Sequence, residues 1–132
     1  GRTMAIAAFY IGLNALLMLI LAFLVGSKRG KQNALDPGAT GDVHLTRAIR
    51  AHANFSEYAA LVLLVLLAMA QLGYSAPLLH LVGVSFTAGR ILHAIGMGRE
   101  KHPNAPRFIG NLTTGLCLLG GGLACIFPLL RG

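Results

Sequence analysis

Five polar side chains recur along one stretch of the chain, Arg47-Ala-Ile-Arg50-Ala-His-Ala-Asn54-Phe-Ser-Glu57-Tyr58. On a helix turning ~100° per residue, with Arg47 at zero, Arg50 falls near ~300°, Asn54 near ~340°, Glu57 near ~280° and Tyr58 near ~20°. They share one face, while His52 and Ser56 point to the far side. Further along, Arg90 and His93 are three residues apart and adjacent on a helix, with Met97 one turn on. Arg107 follows after a short polar segment. Several guanidinium groups thus accompany a single carboxylate, Glu57. A closed structural ion network wants comparable numbers of each sign, so the surplus positive charge asks for an anionic ligand. The blander alternative pairs Glu57 with Arg50 or Arg90 as glue between helices, and His93 taken alone is as readily a satisfied structural histidine. His44, His80 and His102 have no ligand spacing, so no metal site is expected. Neither a phosphate-binding glycine loop nor a Ser/His/Asp arrangement is present.

The elements that carry these residues are set by composition. Of 132 residues, 55% are hydrophobic and 11% charged, against roughly a quarter charged in soluble domains. A chain this short has much surface for its volume, and so few charges cannot keep it in water. The net charge of +7 would suggest nucleic acid in a soluble protein, but basic residues beside membrane segments explain it better. A spanning helix needs about 20 mostly apolar residues. Four such segments are expected, at about 4–25, 42–71, 77–98 and 107–130, forming a single all-α four-helix membrane domain. Gly26 should end the first, and Asp36-Pro37-Gly38 should turn the loop that follows. Asp42 is the expected N-cap of the second helix, and Pro103 and Pro106 should break the chain before the fourth. The glycines at 120–122 allow close packing or a kink.

Met4 is the expected native start, with Gly1-Arg2-Thr3 read as an expression remnant, and no cleavage site follows the first segment. Tyr10 and Tyr74, near helix ends, are expected to anchor at the membrane interface. Cys117 and Cys125, eight residues apart on one helix, lie roughly 12 Å from each other, beyond the ~7 Å reach of a disulfide. Nine of the eleven lysines and arginines, including Lys28, Arg29, Lys31, Arg99 and Lys101, lie in or beside the first and third loops. Only Arg2 and Arg131 lie at the other end. The positive-inside rule then puts both loops in the cytoplasm and both termini opposite.

The pattern Arg47-x-x-Arg50-Ala-x-x-Asn54-x-x-Glu57-Tyr58 resembles the signature of the MAPEG family, membrane-associated proteins in eicosanoid and glutathione metabolism. The likeness covers nearly the whole chain. It implies a homotrimer that binds glutathione between subunits on the cytoplasmic side. Arg50, Asn54, Glu57 and Tyr58 match family residues that contact glutathione, with Glu57 taking its amino group and the arginines, Arg47 among them, its carboxylates. Arg29 aligns with a first-loop arginine reaching a carboxylate from the adjacent subunit. Arg90 and His93 resemble the Arg-x-x-His of the prostaglandin E synthase branch. Arg107 aligns, across a one-residue gap, with the arginine that stabilises the thiolate. Met97 departs from the family, standing where a tyrosine is usual.

The resemblance therefore implies a glutathione-dependent transferase or peroxidase acting on a lipophilic electrophile from the bilayer, in a bacterial inner membrane. Two rivals are a non-catalytic relative that binds or presents lipid, and a small multidrug transporter. The first should lose the glutathione contacts. The second usually carries a carboxylate in its first helix, where this chain has Asn14.

Overall fold

The computed structural model of the chain describes residues 1–32 and 43–132. The expected turn at Asp36-Pro37-Gly38 and the cap at Asp42 lie outside the described residues. Four helices follow in order: α1 Arg2–Gln32, α2 Val43–Gln71, α3 Ala76–Gly98 and α4 Ala105–Arg131. Each is long and apolar enough to cross a membrane. The protein is an all-α, integral membrane four-helix bundle. Many of its outward residues are large and apolar, as lipid contact requires: Phe23 is 72% exposed and Leu129 87%.

α2 and α3 form the middle of the bundle. α1 packs on both from one flank and α4 from the other, and among the described residues α1 and α4 do not meet. One buried cluster joins Ile6, Ala7 and Tyr10 of α1 to Leu66, Met69 and Ala70 of α2 and Leu79 of α3. A second, nearer the basic end, packs Phe55 and Val62 of α2 against Phe86, Leu21 and Cys117. In lipid such contacts act through packing, since the hydrocarbon tails are as apolar as the side chains.

Three features differ from the sequence-based expectation. Gly26 does not end α1, which continues to Gln32. An isolated glycine costs only about 1 kcal/mol in a helix, and the rest of the segment outweighs it. α4 begins at Ala105, with Pro106 inside its first turn, where a missing N–H has no partner to lose. Tyr10 is no interfacial anchor: it is buried, and its hydroxyl lies 2.6 Å from His80 Nδ1 on α3. One turn on, Asn14 is buried too, and its Nδ2 donates to the Tyr10 carbonyl and to Thr87 Oγ1. Polar groups inside the membrane thus tie α1 to α3.

The glycine run leaves α4 continuous, with Gly121 buried against Val65. Pro128 removes the donor that the Ala124 carbonyl would otherwise use, and the Tyr74 hydroxyl donates to that carbonyl instead, at 2.5 Å. Tyr74 thus caps a gap in the hydrogen-bond ladder of α4. Cys117 and Cys125 are both free thiols.

Candidate functional site

The site lies at the basic end, between α2, α3 and α4. Its assembly begins at the α3–α4 corner. Asn104, the N-cap of α4, accepts a hydrogen bond from the Arg107 backbone N–H at 3.0 Å. Its Nδ2 donates to the Gly96 and Lys101 carbonyls, at 2.8 Å each. One side chain therefore starts α4 and clamps it to the end of α3. The two helices then run in close contact. A Cβ on Gly110 would stand 2.5 Å from the Gly89 carbonyl oxygen and 2.6 Å from the His93 Cβ. No side chain fits there without moving the backbone of α3. Glycine at this crossing brings His93 and Arg107 to one cleft.

Arg90 is the structural centre of the site. It is 1% exposed, and its guanidinium is held on several sides. Nη1 donates to Thr114 Oγ1 on α4 at 3.1 Å, and Nη2 donates to Asn54 Oδ1 on α2 in a short hydrogen bond. His93 Nδ1 lies 3.5 Å from Nη2. The face of the Tyr58 ring lies 6.0 Å from the guanidinium carbon, within the range of a cation–π contact. Thr114 donates in turn to the Gly110 carbonyl at 2.9 Å. Of the three nitrogens of this guanidinium, Nε has no partner among the described residues. Because Asn54 Oδ1 accepts from Arg90, its amide N–H groups remain as donors.

In front of this core opens a cleft of about 80 Å³, lined by Arg50, Asn54, Glu57, His93, Met97, Arg107 and Asn111, with Ala53. Arg107 Nη1 stands 3.3 Å from His102 Nδ1, so the loop before α4 steadies it. Among the described residues Glu57 forms no ion pair; the carboxylate stands at the cleft wall as an exposed group.

The sequence-predicted residues divide accordingly. Arg50, Asn54, Glu57, His93 and Arg107 meet at the cleft. Arg90 and Tyr58 stand behind or beside it. Arg47 turns elsewhere: it lines a separate groove between α1, α2 and α3, and its Nη2 donates to the Glu100 carbonyl at 3.3 Å. Arg29 lies near the end of α1 and lines none of the cleft. The polar stripe of α2 is thus split by the packing, with the Glu57–Arg50–Asn54 side facing the cleft. Asn111 and Thr114 escaped the sequence reading. Asn111 sits four residues after Arg107, hence on the same face of α4, and that spacing was the available signal.

The family model described as "MAPEG family" matches residues 7–127 of this chain. The chain belongs to the MAPEG family. Inner membrane protein YecN of Escherichia coli (strain K12) is 33% identical over 91 residues, 69% of this chain and 69% of that protein. The protein of the same name from Escherichia coli O6:H1 matches to the same extent. MAPEG membership joins the four-helix membrane bundle to the arginine-rich stripe on α2 in one assignment, and a bacterial member is consistent with these relatives.

Proposed function

We propose that the protein is a glutathione-dependent membrane transferase or peroxidase acting on a lipophilic electrophile. The observation that carries this reading is the charge balance of the cleft: Arg50 and Arg107 against Glu57, with Asn54 and His93 between them. The guanidinium groups outnumber the one carboxylate, and glutathione, with two carboxylates, one ammonium and an ionisable thiol, is a ligand of matching excess negative charge. Glu57 would receive the amino group, and Arg50 and the Asn54 amide would hold a carboxylate.

A cleft of about 80 Å³ is too small for a tripeptide, since ligand pockets measure about 300–1,000 Å³. Arg50 and Glu57 are exposed on a membrane helix, and a charge facing lipid costs about 2.5–3.5 kcal/mol at the helix centre. Both facts support a second copy of the chain closing the site, as in the family's homotrimers, with Arg29 of the partner subunit reaching the other carboxylate.

The chemistry is thiol activation. A free thiol of pKa about 8.5 is only a few per cent thiolate at neutral pH, and a nearby guanidinium favours the charged form. Arg107 takes this role, beside the N-terminus of α4, whose partial positive charge acts in the same sense. In conjugation the thiolate forms a C–S bond, the leaving group departs with its electron pair, and the thiol proton goes to solvent. With a hydroperoxide the thiolate would take the terminal oxygen and release an alcohol. A second glutathione would then form the disulfide and water.

The test is conjugation of glutathione to a chromogenic aryl halide by the purified protein, together with Arg107→Ala. The variant should lose roughly 10- to 100-fold in rate at neutral pH, equivalent to one or two pKa units of thiolate stabilisation. Its pH–rate profile should move to alkaline pH, while glutathione affinity changes little. Saturable glutathione binding without turnover of any aryl halide or hydroperoxide would favour the non-catalytic, lipid-presenting reading instead.

A further inference from the structure

We propose that the groove between α1, α2 and α3 binds a long-chain fatty acid, its chain along the groove and its carboxylate at Lys28, His44 and Arg47. This groove is distinct from the glutathione cleft and does not depend on that reading. It encloses about 320 Å³. Leu17, Leu21 and Leu24 of α1 form one wall, and Ala51 of α2 with Ala94 of α3 leave a trough between the helices. All three basic residues stand at one end, and among the described residues no acidic one lines it.

Three properties select this occupant. From Leu17 to Lys28 is eleven residues of helix, ~16 Å at 1.5 Å per residue. That is about half of the ~30 Å hydrocarbon core, the depth of one leaflet and hence of one acyl chain. The volume is near the lower bound of about 300 Å³ for ligand pockets, which suits one chain rather than two. The mouth offers a donor in want of an acceptor: Arg47 Nη1 is buried and has no hydrogen-bond partner among the described residues, although Nη2 of the same group holds the Glu100 carbonyl. A carboxylate placed there would take that donor and pair with Lys28.

The groove uses the side of α2 that carries Ala48 and Ala51, whereas Ala53 and Asn54 face the cleft. Within one chain the acid is therefore separated from the thiol site by the packed α2–α3 pair. It is a bound lipid that bridges α1 to the middle of the bundle, and not a reactant.

The experiment uses the full chain in phosphatidylcholine nanodiscs and stearic acid carrying a nitroxide near its methyl end. Electron paramagnetic resonance should show an immobilised population that unlabelled oleate displaces and methyl oleate does not. Lys28→Gln combined with Arg47→Gln should weaken binding roughly ten- to thirtyfold, from ~1 kcal/mol for each basic residue near a membrane surface. Ala94→Phe should abolish it by filling the trough. If that variant does not fold, the double charge variant, at the mouth rather than in the packed core, carries the test with the methyl ester. Equal displacement by the methyl ester, or unchanged binding in the double variant, overturns the proposal. Immobilisation of spin-labelled phosphatidylglycerol in place of the acid overturns it as well, since the site would then be a two-chain lipid site.

Discussion

Arg90 and Arg107 carry the same guanidinium at the same end of the bundle, yet their surroundings give them different work. Arg90 is enclosed and bonded to Thr114 and Asn54. Arg107 lines the cleft, and among the described residues its side chain hydrogen-bonds to its own preceding loop, at His102. Removing Arg90 leaves Asn54 Oδ1 and the Thr114 hydroxyl short of a donor inside the bundle. Arg90→Met, which keeps the length and apolar stem, should therefore destabilise the folded protein by about 1.5–3 kcal/mol, the range for a hydrogen bond to a charged group. Thermal unfolding in detergent checks this, and an unchanged midpoint would mean that Arg90 is not holding α2 to α4. The stripe of α2 and the Arg-x-x-His of α3 were legible in the sequence because intramembrane charges are rare. The division of labour was not: helical spacing gives a face, and only the packed neighbours decide that Arg90 goes inward and Arg47 to the opposite groove.

At the scale of the element, the site depends on how closely α3 and α4 approach. Asn104 fixes the start of α4, and Gly110 lets its backbone lie against Gly89 and His93. Gly110→Ala places a methyl group where the Gly89 carbonyl and the His93 Cβ already are. Overpacking of this kind typically costs about 1–3 kcal/mol, and it pushes His93 and Arg107 apart. The variant should both melt earlier and conjugate more slowly, in contrast to Arg107→Ala, which should lose rate alone. Normal stability and rate would show that the helices can separate there at no cost. The four helices were evident from apolar runs of spanning length. Their ends were less so: a lone glycine did not stop α1, and Pro106 opened α4 instead of preceding it. Asn104 as a cap was equally hidden, because asparagine before Ala-Pro reads as loop until its side chain is seen bonding Arg107 and Gly96.

At the scale of the whole molecule, the distribution of charge bears on orientation in the membrane. Lys28, Arg29, Arg47, Arg99 and Arg107 gather at one end of the bundle. From the positive-inside rule we propose that this end faces the cytoplasm and both termini the opposite side. In a background of Cys117→Ala and Cys125→Ala, a membrane-impermeant maleimide added to intact cells should label Arg131→Cys and spare Lys28→Cys. The reverse pattern would invert the topology and would put the proposed glutathione cleft on the side away from the cytoplasm. The central claim is that the excess positive charge of the cleft serves a ligand rather than the fold. Calorimetric titration of glutathione into the detergent-purified protein, wild type against Glu57→Gln, tests it most directly. The account predicts saturable binding by the wild type, weakened by at least ~1.5 kcal/mol in the variant, the low end for a hydrogen bond to a charged group, with thermal stability unchanged. Glutathione binding equal in both proteins, or a Glu57→Gln variant whose oligomer falls apart while its affinity is kept, would contradict it.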